Sequence, residues 1–331
     1  MTHQTQSRFK TMPTSCFIAL SLLIVMAAWL LGWFGKRQDW TVTTGWNAIP
    51  AEYRPEPSKA MSDEPWIRWL GHSGFVIRWH GETLLLDPNL SDHCTISKRI
   101  MNFPPDLTPL GPAHALISHA HFDHLNQDTL VGLPELTTIL IPSGSEIFLD
   151  RINTNATHIR PVVEGTSYQL GELRITPVAA AHNGNRFHPL RSQFDAVGYM
   201  IQSPQGTTLY YAGDTAYANP WSVLRETYHP DIAILPIGAY APRIPLKFHH
   251  INPEEAVKAA TELGVRKVIP CHFGTFTLSF DRPSAALPRF ARAIQGTPLR
   301  WEMPSFLEAG DLKNLEQDVA RDRQKKHDHE T

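Results

Sequence analysis

The sequence predicts an α/β fold, a mixed domain of strands and helices, preceded by an N-terminal transmembrane helix. Three observations carry this. One long uncharged segment stands near the amino terminus, short β-prone runs begin at Trp66, and in the second half such runs alternate with helical segments.

Residues 11–35 contain no charge, and residues 16–34 are almost wholly apolar. As a helix the apolar stretch would extend roughly 28 Å, close to the hydrocarbon thickness of a bilayer. A buried core helix does not suit a terminal segment that is apolar all round. The segment reads as an uncleaved single-pass anchor, with a cleaved signal peptide ending near Ala27 as the alternative. Trp29, Trp33 and Trp40 suit an interfacial belt. Arg8 and Lys10 precede the segment while Lys36, Arg37 and Arg54 follow it, so the charges assign no membrane face.

Residues 1–35 therefore form the anchor, and residues 36–64, with Pro50, Pro55 and Pro57, a linker. A folded domain over 65–310 and a polar tail over 311–331 complete the chain. Strands are expected at 66–70, 74–79 and 83–86, divided by Gly71 and His80-Gly81. Residues 91–112 carry Pro104, Pro105, Pro109 and Pro112 and read as an irregular excursion. Further strands are expected at 114–118, 138–141, 173–179, 197–202, 208–212, 232–235 and 267–270. Helices are expected at 143–151, 221–227, 253–263 and 283–294. The third has Asn252 to cap it, Pro253 at its first position and two glutamates in its first turn. No internal repeat is visible, and His327 and His329 read as solvated tail.

The composition is that of an ordinary globular protein, 42% hydrophobic and 19% charged, with a net charge of −2. That balance lacks the basic field that nucleic-acid binding requires. Three cysteines (Cys16, Cys94 and Cys271) exclude a disulfide-rich scaffold and a thiolate zinc cage, and leave a single Cys94–Cys271 disulfide open.

The chemistry concentrates in Ser118-His119-Ala120-His121-Phe122-Asp123-His124, at the end of an apolar run. In an extended or turning loop His119, His121 and Asp123 follow one period and share a side, while His124 breaks it and can serve a second position. Imidazole and carboxylate together suit Zn2+ and related borderline ions.

His-x-His-x-Asp-His after a strand resembles the signature of the metallo-β-lactamase superfamily, and the likeness extends over residues 66–308. Asp87-Pro88, Ala181-His182, Gly213-Asp214-Thr215 and Cys271-His272-Phe273-Gly274-Thr275 resemble the family's other site motifs. The resemblance implies an αββα sandwich, the metallo-β-lactamase fold, with a two-metal site at its edge. By that likeness His119, His121 and His182 would hold one metal, Asp123, His124 and His272 the other, and Asp214 would bridge them. The cofactors would be two Zn2+ or other divalent transition metals, with a hydroxide between them at neutral pH. Asp123 would also orient that hydroxide.

Finer blocks narrow the likeness. Trp69-Leu70-Gly71-His72, Leu235-Pro236-Ile237-Gly238-Ala239-Tyr240, His250-Ile251-Asn252-Pro253-Glu254-Glu255 and His272-Phe273-Gly274-Thr275-Phe276 resemble the N-acylphosphatidylethanolamine-hydrolysing phospholipase D subgroup. That implies hydrolysis of a phospholipid phosphodiester, with His250 contacting substrate or protonating the leaving alkoxide. His72 and His249 read as structural, and Tyr240 and Arg243 as weak phosphate candidates. The stretch His182-Asn183-Gly184-Asn185-Arg186 departs from the subgroup's Trp- and basic-rich pattern. A lactonase or carboxylic ester hydrolase of a soluble metabolite is the alternative. A redox di-iron protein would carry Glu where His121 stands, and a scaffold without catalysis would not keep a full ligand set.

Overall fold

A computed structural model describes residues 65–100 and 111–303, apart from 134, 190 and 219, with parts of 310–321. The expected anchor at 16–34, the linker at 36–64 and the histidines at 327 and 329 lie outside the described residues. Among the described residues no helix is long and apolar enough to cross a membrane.

Two seven-stranded sheets organise the domain. The first contains β1 (Trp66–Gly71), β2 (Gly74–Trp79) and β3 (Glu82–Leu86), then β6 (Ala113–Leu116), β7 (Leu136–Pro142) and β8 (His158–Val162). A short hairpin of β4 (His93–Cys94) and β5 (Ser97–Lys98) interrupts this series. The second sheet contains β9 (Tyr168–Leu170), β10 (Leu173–Ala179), β11 (Val197–Gln202) and β12 (Thr208–Tyr211), then β13 (Ile232–Pro236), β14 (Lys267–Cys271) and β15 (Arg300–Trp301). Each half is wired alike: antiparallel strands come first, then parallel ones.

Strict alternation along the strands makes this a sandwich. Phe75, Ile77, Trp79, Leu84, Leu86, Leu116 and Leu140 enter the large core shared with the second sheet. Their neighbours Val76, Leu85, Ala115, Ile117, Ile139 and Ile141 enter a separate core on the other face. Burial on both faces explains why these strands read as continuous apolar runs. Helix α1 (Gln127–Gly132) contributes Leu130 to the outer core of the first sheet. Helices α2 (Trp221–Tyr228), α4 (Pro253–Leu263) and α5 (Ala286–Ala293) contribute Trp221, Leu224, Val257, Leu263 and Phe290 to the large core. A four-residue helical turn, α3 (Arg243–Leu246), precedes α4.

Several elements differ from expectation. The predicted helix at 143–151 is only a 3-10 turn, Ser145–Phe148, entered through Gly144 at φ 90°. β8 has four exposed residues of five and a proline, which suits an edge strand and erases the alternation. The excursion at 91–112 contains the β4–β5 hairpin, and its residues 101–110 lie outside the described ones. At the start of the expected polar tail, β16 (Gly310–Asp311) pairs antiparallel with β1 and completes the first sheet. Leu312 and Val319 beyond it are buried, apolar positions that the charged surroundings obscured. The disulfide left open does not form: Cys94 and Cys271 are both free and buried.

Candidate metal centre

The site is assembled from loops that follow the C-terminal ends of strands in both sheets. Asp87 follows β3, the His119–His124 cluster follows β6, His182 follows β10, Asp214 follows β12 and His272 follows β14. All seven predicted ligands are brought together. His119 Nε2 stands 2.9 Å from His121 Nδ1, and His182 Nε2 stands 3.2 Å from the same atom. Around the second position, Asp123 Oδ2 lies 3.5 Å from His124 Nε2 and 3.4 Å from His272 Nε2. Between the two groups, Asp214 Oδ2 is 3.1 Å from both His124 Nε2 and His272 Nε2. The same oxygen is 3.8 Å from His119 and 3.9 Å from His182.

Hydrogen bonds behind the ligands set which ring nitrogen faces the centre. His124 Nδ1 donates to Asp87 Oδ2 at 2.6 Å, which leaves Nε2 as a lone-pair donor to a metal. Ser118 Oγ donates to the same carboxylate at 2.5 Å and in turn accepts from His119 Nδ1 at 2.8 Å. The Tyr211 hydroxyl adds a third bond to Asp87 at 2.6 Å. His182 Nδ1 donates to the His249 carbonyl at 2.8 Å. His249 thus serves through its backbone, on the short segment that precedes α4.

The donor set fits bound metal. His124 Nε2, His272 Nε2 and Asp214 Oδ1 are buried and make no hydrogen bond, although buried polar atoms are ordinarily paired. His121 Nδ1 lies within hydrogen-bond distance of both His119 Nε2 and His182 Nε2, and the three facing ring nitrogens are grouped closely enough to hold a metal ion. Burial holds His119 well below the usual histidine range and lowers His182 to about 4, so both are neutral and competent ligands. Burial also opposes charge on Asp214, but His124, His272 and His250 outweigh it and hold its carboxyl well below the ordinary range. Burial lowers His272 less than Asp214 and Asp123 raise it, and it is pushed up to about 9.

Two further histidines line the centre. His250 Nδ1 is 3.8 Å from Asp214 Oδ2, and the residue borders the open cleft with His121, Asp123 and His272. His72, expected to be structural, places Nε2 2.8 Å from Asp123 Oδ2, inside the centre. The phosphate candidates are engaged elsewhere. Arg243 binds the His250 carbonyl and the Glu255 carboxylate, and Tyr240 packs beneath the Arg289 guanidinium.

A sandwich with this donor set marks a candidate metal-dependent enzyme. The sequence profile of the beta-lactamase superfamily domain matches residues 82–273. A UPF0173 metal-dependent hydrolase from Pyrobaculum arsenaticum is 32% identical over 222 residues, 66% of this chain and 88% of the relative. Another, from Solibacter usitatus, is 29% identical over 249 residues, 71% of this chain and 99% of that protein. Among solved structures, a possible metal-dependent hydrolase from Veillonella parvula superposes with a TM-score of 0.58 at 16% identity, covering 76% of this chain and 99% of that one. The isothiocyanate hydrolase from Delia radicum gut bacteria gives 0.57 at 16% identity, covering 74% and 98%. At such identities the structures speak for the fold alone. The chain belongs to the metallo-β-lactamase superfamily, in its UPF0173 metal-dependent hydrolase family.

Proposed function

We propose that this hydrolase is a two-zinc phosphodiesterase acting on N-acylphosphatidylethanolamine-like phospholipids at a membrane to which residues 16–34 anchor it. The observation that carries the two-metal reading is the place of Asp214 Oδ2 within 4 Å of imidazole nitrogens from both ligand groups. A donor set dominated by imidazole, with two carboxylates, favours zinc. Two zinc ions there would supply an activated water at neutral pH and stabilise the charge that develops on the attacked group. Asp123 would orient that water, and His250 would hand a proton to the leaving alkoxide.

The lipid reading rests on the resemblance of the surrounding blocks and on the rim of the cleft. The cleft encloses about 240 Å³, enough for a phosphodiester head but short of the usual ligand pocket. Acyl chains would stay outside, where large apolar side chains are exposed on the segments that line the opening. These are Ile96, Phe122, Ile244 and Phe248, with Phe187 beside the Arg186 that covers Phe122. Of these only Phe122 lines the cleft itself, and exposed apolar side chains on the adjoining segments suit a lipid surface.

The zinc-loaded full chain, given vesicles containing N-acylphosphatidylethanolamine, is expected to release phosphatidic acid and an N-acylethanolamine. The modest cleft volume favours a second reading, hydrolysis of a small lactone or carboxylic ester. Turnover of a lactone panel with no phosphodiester cleavage would establish that reading instead.

A further inference from the structure

His72 lies in the turn between β1 and β2, far in sequence from every ligand, yet it is among the most constrained residues of the centre. Its backbone N–H donates to Thr275 Oγ1 at 2.6 Å. Its carbonyl accepts from Trp69 Nε1 at 2.8 Å and from the His272 backbone N–H at 2.9 Å. Backbone φ is 53°, a left-handed conformation that costs a β-carbon-bearing residue free energy unless surroundings enforce it. The ring packs 4.0 Å from the ring of His272 and 5.5 Å from that of Phe276. Nδ1 is buried without a hydrogen bond, so the ring's one polar link is Nε2 to Asp123 Oδ2 at 2.8 Å.

We propose that His72 is a positioning residue that donates its Nε2 proton to Asp123 and fixes the carboxylate facing His124 and His272, where the second metal binds. This rests on the two-metal reading above. An ionised carboxylate only accepts, so the proton of that bond belongs to His72. A ring nitrogen that keeps its proton cannot also ligate a metal, which sets His72 apart from the other histidines of the cluster. Asp123 needs such a support. It sits in a loop and is the more exposed partner of the pair, and its contact with His72 is shorter than those with His124 and His272. The left-handed turn and the clamp from Thr275, Trp69 and His272 keep the donor at a fixed distance. Strain at His72 thereby buttresses a ligand on another strand end.

Titration of the metal-free full chain with Zn2+, against a chelating indicator, tests this with His72→Phe and His72→Gln. Both keep a β-carbon at the strained position, but only Gln offers an N–H. His72→Phe is expected to hold one equivalent as the wild type does and to bind the second about 10–100-fold more weakly, the usual cost of losing a group that supports a ligand. His72→Gln is expected to recover most of that loss. An unchanged second affinity in His72→Phe would overturn the assignment, and so would equal damage by Gln and Phe, which would make His72 a ligand or a packing residue. Should His72→Phe not fold, His72→Leu against His72→Gln gives the same contrast. A wild type that takes up only one equivalent would refute the two-metal reading by itself, whereas the His72 assignment is judged by the difference between variants.

Discussion

Asp87 accepts hydrogen bonds from Ser118, His124 and Tyr211, and through Ser118 it also orients His119. One buried carboxylate therefore orients a histidine of each proposed ligand group. Asp87→Asn keeps the shape but turns an acceptor into a partial donor. Zinc affinity is expected to fall about 10–100-fold, as read by chelator competition. Protons also compete with metal here. Against the lowering effect of burial, Asp214 and Asp123 push His272 of the metal-free protein up to about 9 from the ordinary 6.5. A raised folded value means its contribution to stability is complete below about 6.5 and is lost as pH rises through about 9. The metal-free protein should thus lose thermal stability between those pH values while the zinc-loaded protein does not; a parallel decline in both would contradict this. The His119–His124 cluster was legible in the sequence as a candidate metal site, because three histidines and an aspartate within six residues after a strand have few structural explanations. His72 was not. It stands alone in a Gly-His-Ser turn, 51 residues from Asp123, and only the folding of β1 against the His272 loop brings it near.

Elements place these residues through their ends. The segment before α4 illustrates this, since Asn252 caps the helix and Glu255 returns to the Asn252 N–H while also holding Arg243. Arg243 in turn binds the His250 carbonyl at 2.8 Å. Asn252→Ala should cost about 1 kcal/mol, the usual worth of an N-cap, and lower the melting temperature by roughly 2–4 °C in a domain of this size. Thermal unfolding followed by circular dichroism measures it. Gly238, after β13, lets two loops touch: a β-carbon there would stand 1.9 Å from the His272 carbonyl. Gly238→Ala should displace the His272 loop and reduce bound zinc to one equivalent by metal analysis; two equivalents would show that the loop yields without cost to the centre. The capped helix and the strands buried on both faces were readable, the former from its start signals and the latter from their apolar runs. Edge strands β8 and β9 and the six-residue α1 were missed, because exposed edges lose alternation and α1 spans fewer than two turns.

At the scale of the whole molecule, the two like-wired sheets bring ligands from both halves of the sequence to one edge. Neither half can build the centre alone: the first supplies His119, His121, Asp123 and His124, the second His182, Asp214 and His272. The proposed apolar rim left no signal in the sequence, since Ile96, Phe122, Phe187, Ile244 and Phe248 are scattered along the chain. If rim and anchor both serve a bilayer substrate, removing residues 1–35 should leave turnover of a short-chain soluble phosphodiester unchanged and reduce turnover on vesicles several-fold. Equal rates on both substrates would argue against a membrane role. The central claim, that two metals share Asp214, is tested most directly by metal analysis of the zinc-reconstituted protein beside Asp214→Asn. Two equivalents in the wild type, with loss of at least one equivalent and of hydrolysis in the variant, is the predicted result. A wild type that holds one equivalent, or an Asp214→Asn protein that keeps two equivalents and full activity, would contradict it.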